Sequence, residues 1–216
     1  MASLPKAITD LVGVFERLPG IGPKSATRLV FYLVNAPESF AKNFSQNLLD
    51  LKSKIKICEK CYGVSETEIC SICADKSRDN HTIWVVERAI EVVALENVGG
   101  LKGVYHVLGG LVNPLDHVGP EDIRINELIE RLKEMEDDKE IEVVLAVSPT
   151  MEGEATSMYI KKKIDSLEKN IKVTRIGSGL PIGADLEFAD QATLSRSMEN
   201  RRSCLLYTSP SPRDRG

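Results

Sequence analysis

The chain has 216 residues, of which 42% are hydrophobic and 5% aromatic, and its formal net charge is −4. This length provides for one large or two small domains with a mainly aliphatic core. No apolar run approaches the ~20 residues of a membrane span, and the amino terminus lacks the apolar segment of a signal peptide. We therefore expect a soluble cytoplasmic protein that does not associate with membranes.

The charge is distributed unevenly along the chain. Residues 1–60 carry nine Lys/Arg and five Asp/Glu, whereas residues 81–175 carry twelve and eighteen. A basic amino-terminal part suits contact with nucleic acid. The same small excess is also compatible with an ordinary surface, so charge alone leaves both interpretations open.

Three helices are predicted within residues 1–56. Ser3 is a candidate cap for the first helix, and Pro5 is tolerated in its first turn. The second helix begins near Pro23 and ends at about Asn35, and the third covers about residues 38–56. The apolar residues expected on their buried faces are Ile8, Leu11, Val12, Phe15, Ala26, Leu29, Val30, Leu33, Phe40, Phe44, Leu48, Leu51 and Ile55.

The turn Leu18-Pro-Gly-Ile-Gly-Pro-Lys24 joins the first two helices. Gly20 and Gly22 permit a backbone path that a side chain would block, and free N–H groups at a helix start favour an anion such as phosphate. Lys24 and Arg28, four residues apart, share one helical face. The stretch resembles the helix-hairpin-helix DNA-binding motif, which contacts phosphates and so implies sequence-independent binding. A plain αα-hairpin and a protein-contact surface remain alternatives.

Four of the five cysteines follow, as Cys58, Cys61, Cys70 and Cys73, with the spacing C-x2-C-x8-C-x2-C. A hairpin in the spacer can bring the two pairs together, and four convergent thiolates suit tetrahedral Zn²⁺. Such a site has no open coordination position, which argues against zinc catalysis. Two disulfides or unliganded core cysteines are the alternatives, and the absence of a secretory signal disfavours disulfides. The sequence predicts one structural zinc ion.

After residue 80 the pattern alternates between strands and helices. The predicted strands are 83–87, 104–108, 141–147 and 172–176, and the predicted helices are 89–97, 121–136 and 152–169. This β-α-β-α-β-α-β order predicts a parallel, doubly wound sheet. A Gly/Pro-rich loop and a last helix follow within residues 177–200.

Acidic residues follow two of these strands. Glu87 ends the first strand, and Ser148-Pro-Thr150-Met-Glu152-Gly-Glu154 follows the third. In an open parallel sheet the carboxyl ends of the strands line the functional crevice. The arrangement resembles the Toprim domain of topoisomerases, primases and related nucleases, in which a Glu, an Asp-x-Asp pair and a Glu-Gly-Glu segment hold Mg²⁺ for phosphoryl transfer.

The chain departs from that pattern at Ser148 and Thr150, which stand at the two Asp positions. Hydroxyl groups are neutral and poor ligands for a hard dication, so we expect no catalytic Mg²⁺ and no strand cleavage. Glu152 and Glu154 have a simpler interpretation as acidic residues in a first helical turn, stabilised by the helix dipole.

Other features carry less chemistry. Asp116 and His117 have no visible nucleophile beside them. His81 and His106 are expected at surface and strand positions, and the sequence identifies no partner for them. Residues 203–216 break the periodic pattern and are similar to translated adaptor sequence. We exclude that segment, with Cys204, from the fold.

Together these features resemble the RecR family of bacterial recombination mediators, over about residues 4–202. The residues that carry the likeness are Leu18-Pro-Gly-Ile-Gly-Pro-Lys-Ser-Ala, the four cysteines, Val85-Val-Glu87, Leu115-Asp-His-Val-Gly-Pro-Glu-Asp-Ile, Pro149-Thr-Met-Glu-Gly-Glu-Ala-Thr156 and Gly179-Leu-Pro-Ile-Gly. Trp84 is a mild departure, because the family often has a smaller residue there.

The resemblance implies a protein that is not an enzyme and that forms rings, commonly tetramers, able to encircle DNA. It implies cooperation with RecO and RecF in loading RecA onto single-stranded DNA coated by SSB. Lys24 and Arg28 match DNA-contacting positions of the family. Glu87, with Glu152 and Glu154, stands at the acidic Toprim positions associated with partner binding.

We therefore predict an α+β multidomain protein. Its parts are a helix-hairpin-helix domain (1–56), a four-cysteine zinc finger (57–74), an α/β Toprim domain with a parallel sheet (80–176) and a C-terminal loop and helix (177–202). The predicted location is the cytoplasm, at the nucleoid. Two other functions stay open: a Mg²⁺-dependent Toprim nuclease or topoisomerase-like enzyme, which needs carboxylates from elsewhere, and a purely structural zinc-dependent oligomer.

Overall fold

The structure is a computed structural model that describes residues 4–136, 139–177 and 179–201. The candidate cap Ser3 and the segment 203–216, with Cys204, lie outside these residues. The chain divides into two compact units, residues 1–56 and 57–216.

The first unit consists of three helices, α1 (Lys6–Phe15), α2 (Pro23–Asn35) and α3 (Glu38–Lys54). α1 packs against α2. Pro23 stands at the first position of α2, where its missing N–H and fixed φ suit a helix start, and Pro37 immediately precedes α3. The three predicted helices are confirmed.

The predicted burial of this unit is confirmed for Ala26 and Val30 and wrong for the other residues. Among residues 4–56, only Ala26 and Val30 are buried. The α3 side chains Phe44, Leu48 and Leu51 are 46%, 58% and 57% exposed. Helical spacing correctly places these residues on one side of α3, but three short helices do not provide enough surface to cover them.

A small finger follows the third helix. Its elements are β1 (Lys56–Ile57), which pairs with β2 (Val64–Ser65), and the one-turn α4 (Ser71–Ala74). The turn between β1 and β2 carries Cys58 and Cys61. The hairpin therefore lies around the first cysteine pair and not within the spacer, where the sequence placed it. The buried cluster of the finger consists of the cysteines themselves, with Ile72 packed against them.

Four parallel strands form the sheet, in the order β4–β3–β5–β6. Its elements are β3 (Asp79–Val86), α5 (Ala89–Val98), β4 (Gly103–Val107), α6 (Ile125–Glu134), β5 (Ile141–Ala146), α7 (Met151–Asp165) and β6 (Ile171–Arg175). The predicted α+β class and parallel sheet are confirmed.

The topology explains where the helices lie. The chain runs from β3 out to β4 and then crosses back to β5 and on to β6. Because parallel crossovers are right-handed, α5 covers one face and α6 and α7 cover the other, where the larger core cluster lies. The direction reverses between β3 and β5, and this reversal brings Glu87 beside the segment that follows β5.

The edge strand β4 is buried along its whole length. On the α5 face, Tyr105 and Val107 pack with Trp84 of β3 and with Tyr62 and Ile72 of the finger. An uncovered edge strand would present unpaired backbone groups to solvent, and the finger prevents that here.

Two predicted helices are shorter than expected. α6 begins at Ile125 and not at Glu121, because the Gly119 N–H donates to the Asp122 carboxylate (2.8 Å) and the Arg124 N–H donates to the Leu108 carbonyl (2.9 Å). These bonds hold residues 119–124 as a turn. α7 ends at Asp165, three residues before Glu168 adopts a left-handed φ of 52°.

The second unit closes with short elements. Two 3-10 turns, Pro114–Asp116 and Leu186–Phe188, lie in the loops, and α8 (Gln191–Glu199) is capped by Asp190. Within the described residues no helix is both long and apolar enough to cross a membrane.

Candidate functional site

The four cysteine thiols meet inside the finger. Their Sγ atoms all lie within 4.8 Å of one another, and those of Cys61 and Cys70 are 3.7 Å apart. Tetrahedral Zn–S bonds of ~2.3 Å place neighbouring sulfurs about 3.8 Å apart, so the donor set fits Zn²⁺. Across the described residues, no other group of His, Cys, Asp or Glu converges in this way.

Local hydrogen bonds orient the thiols. The Cys70 N–H points at the Cys58 Sγ (3.3 Å), and the Cys73 N–H points at the Cys70 Sγ (3.4 Å). A hydrogen bond from the Cys73 thiol lowers the pKa of Cys61 to about 5, and the same contact raises the pKa of Cys73. The lowered pKa of Cys61 favours its thiolate, which is the form that binds a metal.

The finger is fastened to the edge strand β4. The Val107 N–H donates to the Cys61 carbonyl (2.8 Å). The Tyr62 ring meets the His106 ring edge-on at 5.4 Å, and the Arg124 guanidinium lies 5.0 Å from the Tyr62 ring centre. Backbone pairing and aromatic packing thus join the finger to the α/β part of the second unit.

His106 lies on strand β4, as predicted, and the structure shows a partner that the sequence does not identify. It is fully buried, and its Nε2 lies 2.7 Å from the Arg124 carbonyl. Among the described residues its Nδ1 has no hydrogen-bond partner. Local sequence carries no signal for this burial, because the covering residues come from the finger and from the turn before α6.

The turn between α1 and α2 lies in the first unit. Gly20 has a φ of +79°, in the left-handed region that glycine tolerates. Gly22 starts α2 without a side-chain cap, and the space beside both glycines is open. Lys24 and Arg28 are exposed and line one surface depression. DNA contact at these four residues stays a prediction.

The carboxyl ends of β3 and β5 meet as the sequence predicts. The Ser148 hydroxyl donates to a Glu87 carboxylate oxygen (3.0 Å), and the Arg88 Nε lies 3.6 Å from the other oxygen. Ser148, at one of the two Asp positions of the Toprim pattern, is therefore a hydrogen-bond donor to the carboxylate and not a second negative ligand.

Thr150, at the second Asp position, caps helix α7. Its hydroxyl accepts the Gly153 N–H at 3.2 Å. A Cβ on Gly153 would overlap the Ser148 carbonyl, so glycine is required for the close turn into the helix. Glu152 is half-buried in the first turn of α7, and a hydrogen bond to its own backbone N–H lowers its pKa.

Glu154 is held by two arginines that the sequence reasoning missed. The Arg175 guanidinium donates to one carboxylate oxygen (2.5 Å) and lowers the pKa of Glu154, and the Arg196 guanidinium donates to the other oxygen (3.2 Å). Arg196 also bonds the Pro149 carbonyl. Both partners lie more than twenty residues away along the chain, so no local pattern indicates these contacts.

Glu87 and Glu152 line one open cavity of about 490 Å³ with Asp116 and Asp122. Asp116 accepts a hydrogen bond from the Asn113 side chain (2.6 Å). This edge of the sheet is acidic, yet its carboxylates, as far as the described residues go, do not form a convergent set like the cysteines.

Comparisons with known proteins agree along the chain. Family models match at residues 8–52 (RecR, helix-hairpin-helix), 55–75 (the RecR zinc finger domain with four cysteines), 81–177 (Toprim domain) and 179–202 (RecR, C-terminal). Recombination protein RecR of Bifidobacterium longum subsp. infantis is 45% identical over 196 residues, which are 91% of this chain and 96% of that protein.

The matched finger model and the four close thiols agree on the metal: the finger is a structural zinc site. The four family models together match nearly all of the described residues and leave out only short segments between them. This chain belongs to the RecR family of recombination proteins.

Proposed function

We propose that the protein is a non-catalytic DNA-binding mediator of recombination in DNA repair. It forms a ring-shaped clamp and, with RecO and RecF, helps to load RecA onto single-stranded DNA coated by SSB. The observation that carries the non-catalytic part is the hydrogen bond from Ser148 to Glu87 at the crevice of the sheet.

The partners of the acidic residues at the crevice favour this proposal over a magnesium-dependent enzyme. Toprim chemistry needs several carboxylates around Mg²⁺. Here Glu87 is bound by a hydroxyl, Thr150 is used as a helix cap, and Glu154 is neutralised by Arg175 and Arg196. A nuclease would need ligands that this crevice does not bring together.

DNA binding is assigned to the start of α2. The exposed cations Lys24 and Arg28 lie one helical turn apart beside an uncapped helix N-terminus, which attracts phosphate. Phosphate contacts carry no sequence information, so binding is independent of base sequence.

The double variant Lys24→Glu with Arg28→Glu is expected to bind both single-stranded and duplex DNA more weakly, and equally so for different sequences. Each lost phosphate contact lowers the salt-dependence slope by about 1. Affinity is measured by fluorescence anisotropy over a salt series, and RecA assembly on SSB-coated DNA is measured in the same preparations with RecO and RecF. Both readouts should fall together.

A matched control places the same charge change elsewhere. Lys161 and Lys162 are exposed on α7, and their replacement by Glu should leave DNA affinity near that of the wild type. Equal weakening in both double variants would remove the assignment to α2. Plasmid cleavage with Mg²⁺ that disappears in Glu87→Ala would overturn the non-catalytic proposal.

Ring formation is supported by the uncovered apolar surface of the helical unit. No residue of α3 is buried, although Phe40, Phe44, Leu48 and Leu51 lie along one side of it. Isolated helices of this length are marginally stable in water, and their stability comes mainly from packing an apolar face. A second copy of the chain is the proposed cover, in a tetramer.

Replacing both Leu48 and Leu51 by Lys is expected to reduce the solution mass from about four chains of 23.8 kDa to a smaller species. The exposed sites tolerate polar side chains within one chain, whereas an interface would lose its apolar contact. The mass is measured by light scattering or sedimentation. Met158→Lys, which changes an exposed residue on α7, is the control; an unchanged tetramer in the double variant would place the interface elsewhere.

The acidic crevice is the proposed binding surface for RecO and RecF. Glu87 and Glu152 line the open cavity at the carboxyl edge of the sheet, where their carboxylates are placed to attract basic side chains of a partner. Glu154 is the least available of the three acidic residues because two arginines already hold it. Action on chromosomal DNA would place the protein in the cytoplasm, at the nucleoid.

A further inference from the structure

Arg131 connects three parts of the second unit. It lies on α6, and its Nη1 donates to the Tyr105 carbonyl of β4 (2.8 Å) and to the Lys60 carbonyl of the finger (3.3 Å). Lys60 stands between the first two zinc ligands, Cys58 and Cys61. A single guanidinium therefore fixes the backbone of the first cysteine pair against the sheet.

Arg131 lines the same cavity as the zinc ligand Cys73. Burial lowers the pKa of Arg131, and the thiols of Cys73, Cys61, Cys58 and Cys70 all act in the opposite direction. Zn²⁺ bound by four thiolates carries a net charge of −2, which requires compensation in this site, where three of the four cysteines are buried. A cation with a fixed hydrogen-bond geometry is suited to that purpose.

The other charged groups near this site have mostly the opposite sign. Glu59, Glu127, Glu130 and Glu134 line a cavity of about 390 Å³ together with Arg131 and Cys73. These carboxylates increase the repulsion on a dianionic centre. Lys60 also lines the cavity, but it presents only its backbone carbonyl to Arg131.

We propose that Arg131 is a positioning residue of the zinc centre, which offsets the charge of the four thiolates, holds the first cysteine pair in place and transmits zinc binding to the stability of the sheet. The hydrogen bonds to Lys60 and Tyr105 provide the connection, and the charge provides the preference for the metal-bound state. Hydrogen-bonded groups around metal ligands commonly change metal affinity by about 10–100-fold when removed.

A purely structural arginine predicts a different result. Loss of a simple connection between α6 and β4 would lower stability equally with and without zinc. A positioning residue would instead change zinc retention, and it would reduce the extra stability that zinc confers. The two effects are separated by a cycle that combines the substitution with zinc removal.

The test compares Arg131→Met with the wild-type protein, both loaded with zinc. Zinc transfer to a chromophoric chelator at fixed pH should be about 10–100-fold more favourable for the variant. Thermal unfolding is followed by the fluorescence of Trp84, the single tryptophan, which packs beside the finger contact. The zinc-dependent rise in the unfolding midpoint should shrink in Arg131→Met.

Arg124→Met is the matched control. Arg124 packs on Tyr62 in the same interface but donates no hydrogen bond to the cysteine pairs, so its loss should leave zinc transfer unchanged.

A second variant is available if Arg131→Met fails to fold. Arg131→Lys keeps the charge without the planar fork, and its zinc transfer should lie between those of the wild type and of a variant that lacks one cysteine ligand. Wild-type zinc transfer in a folded Arg131 variant, with equal destabilisation in both metal states, would overturn the proposal.

Discussion

Removal of zinc is expected to unfold residues 57–74 while most of the parallel sheet stays folded. The finger has no apolar core apart from its cysteines and Ile72. Its strands have two residues each and α4 has four, far below the lengths that are stable alone. Coordination by four thiolates supplies about 10–16 kcal/mol of metal-coupled folding free energy, which nothing else in the segment replaces.

Unfolding of the finger should also destabilise β4 at the edge of the sheet. The Cys61 carbonyl accepts the Val107 N–H, and Tyr62 and Ile72 cover Tyr105 and Val107. Without the finger, β4 becomes an exposed edge with free backbone groups, which favours aggregation. Hydrogen exchange of the chelated protein should therefore show lost protection in residues 57–74 and weaker protection in 103–107.

A ligand substitution provides the matched comparison for chelation. Cys70→Ser removes one thiolate and should reproduce the exchange pattern of the chelated protein. Ser71→Ala changes the next residue, which is not a ligand, and should behave as wild type. Full protection of residues 57–74 after zinc removal would show that the finger folds without its metal and would refute this account.

The sequence was sufficient to predict those features of the structure that a local pattern of residues determines. The C-x2-C pairs predicted convergent thiols, and Gly20 and Gly22 predicted the turn between α1 and α2. The alternation of apolar strands with helices predicted the parallel sheet, and the carboxyl ends of its strands were expected to line one crevice, where Glu87 and Ser148 lie. The convergent thiols, the turn and the alternation of strands with helices each depend on spacing within a short stretch of chain.

The sequence was insufficient where distant segments meet. The apolar side of α3 was identified, but spacing cannot say whether the same chain covers it. Glu154 was interpreted as an acidic residue of a helix start, whereas its partners Arg175 and Arg196 come from β6 and α8. Arg131 was not singled out at all, since its role depends on the carbonyls of Lys60 and Tyr105.

His106 is the clearest case of a distant contact with a measurable consequence. We expect the stability of the protein to fall as the pH decreases from about 6.5 to about 4, because of this residue. Burial lowers the pKa of His106 to about 4 from the model-peptide value of 6.5. The unfolded chain therefore takes up a proton in this window while the folded protein does not, and folding becomes less favourable by about 3 kcal/mol over the whole interval.

The comparison variant is His106→Gln, whose side-chain amide can still donate to the Arg124 carbonyl but does not titrate. Urea unfolding of both proteins is measured between pH 8 and pH 5. Near pH 8 the wild-type histidine contributes almost no slope, and at pH 5 its contribution reaches about 2 kcal/mol. The difference in unfolding free energy between the two proteins should change by that amount in favour of the variant as the pH falls.

Acid also protonates the cysteine thiols and weakens zinc binding, but both proteins share that effect, so it cancels in the difference. Glu127, Arg124 and Arg131 are present in both proteins, and the action of their charges on His106 is already part of its lowered pKa. An NMR titration provides the direct check: the imidazole of the folded protein should titrate well below 6.5. Parallel pH profiles for wild type and His106→Gln would mean that the ring is solvated, and that the finger does not close over β4 as described.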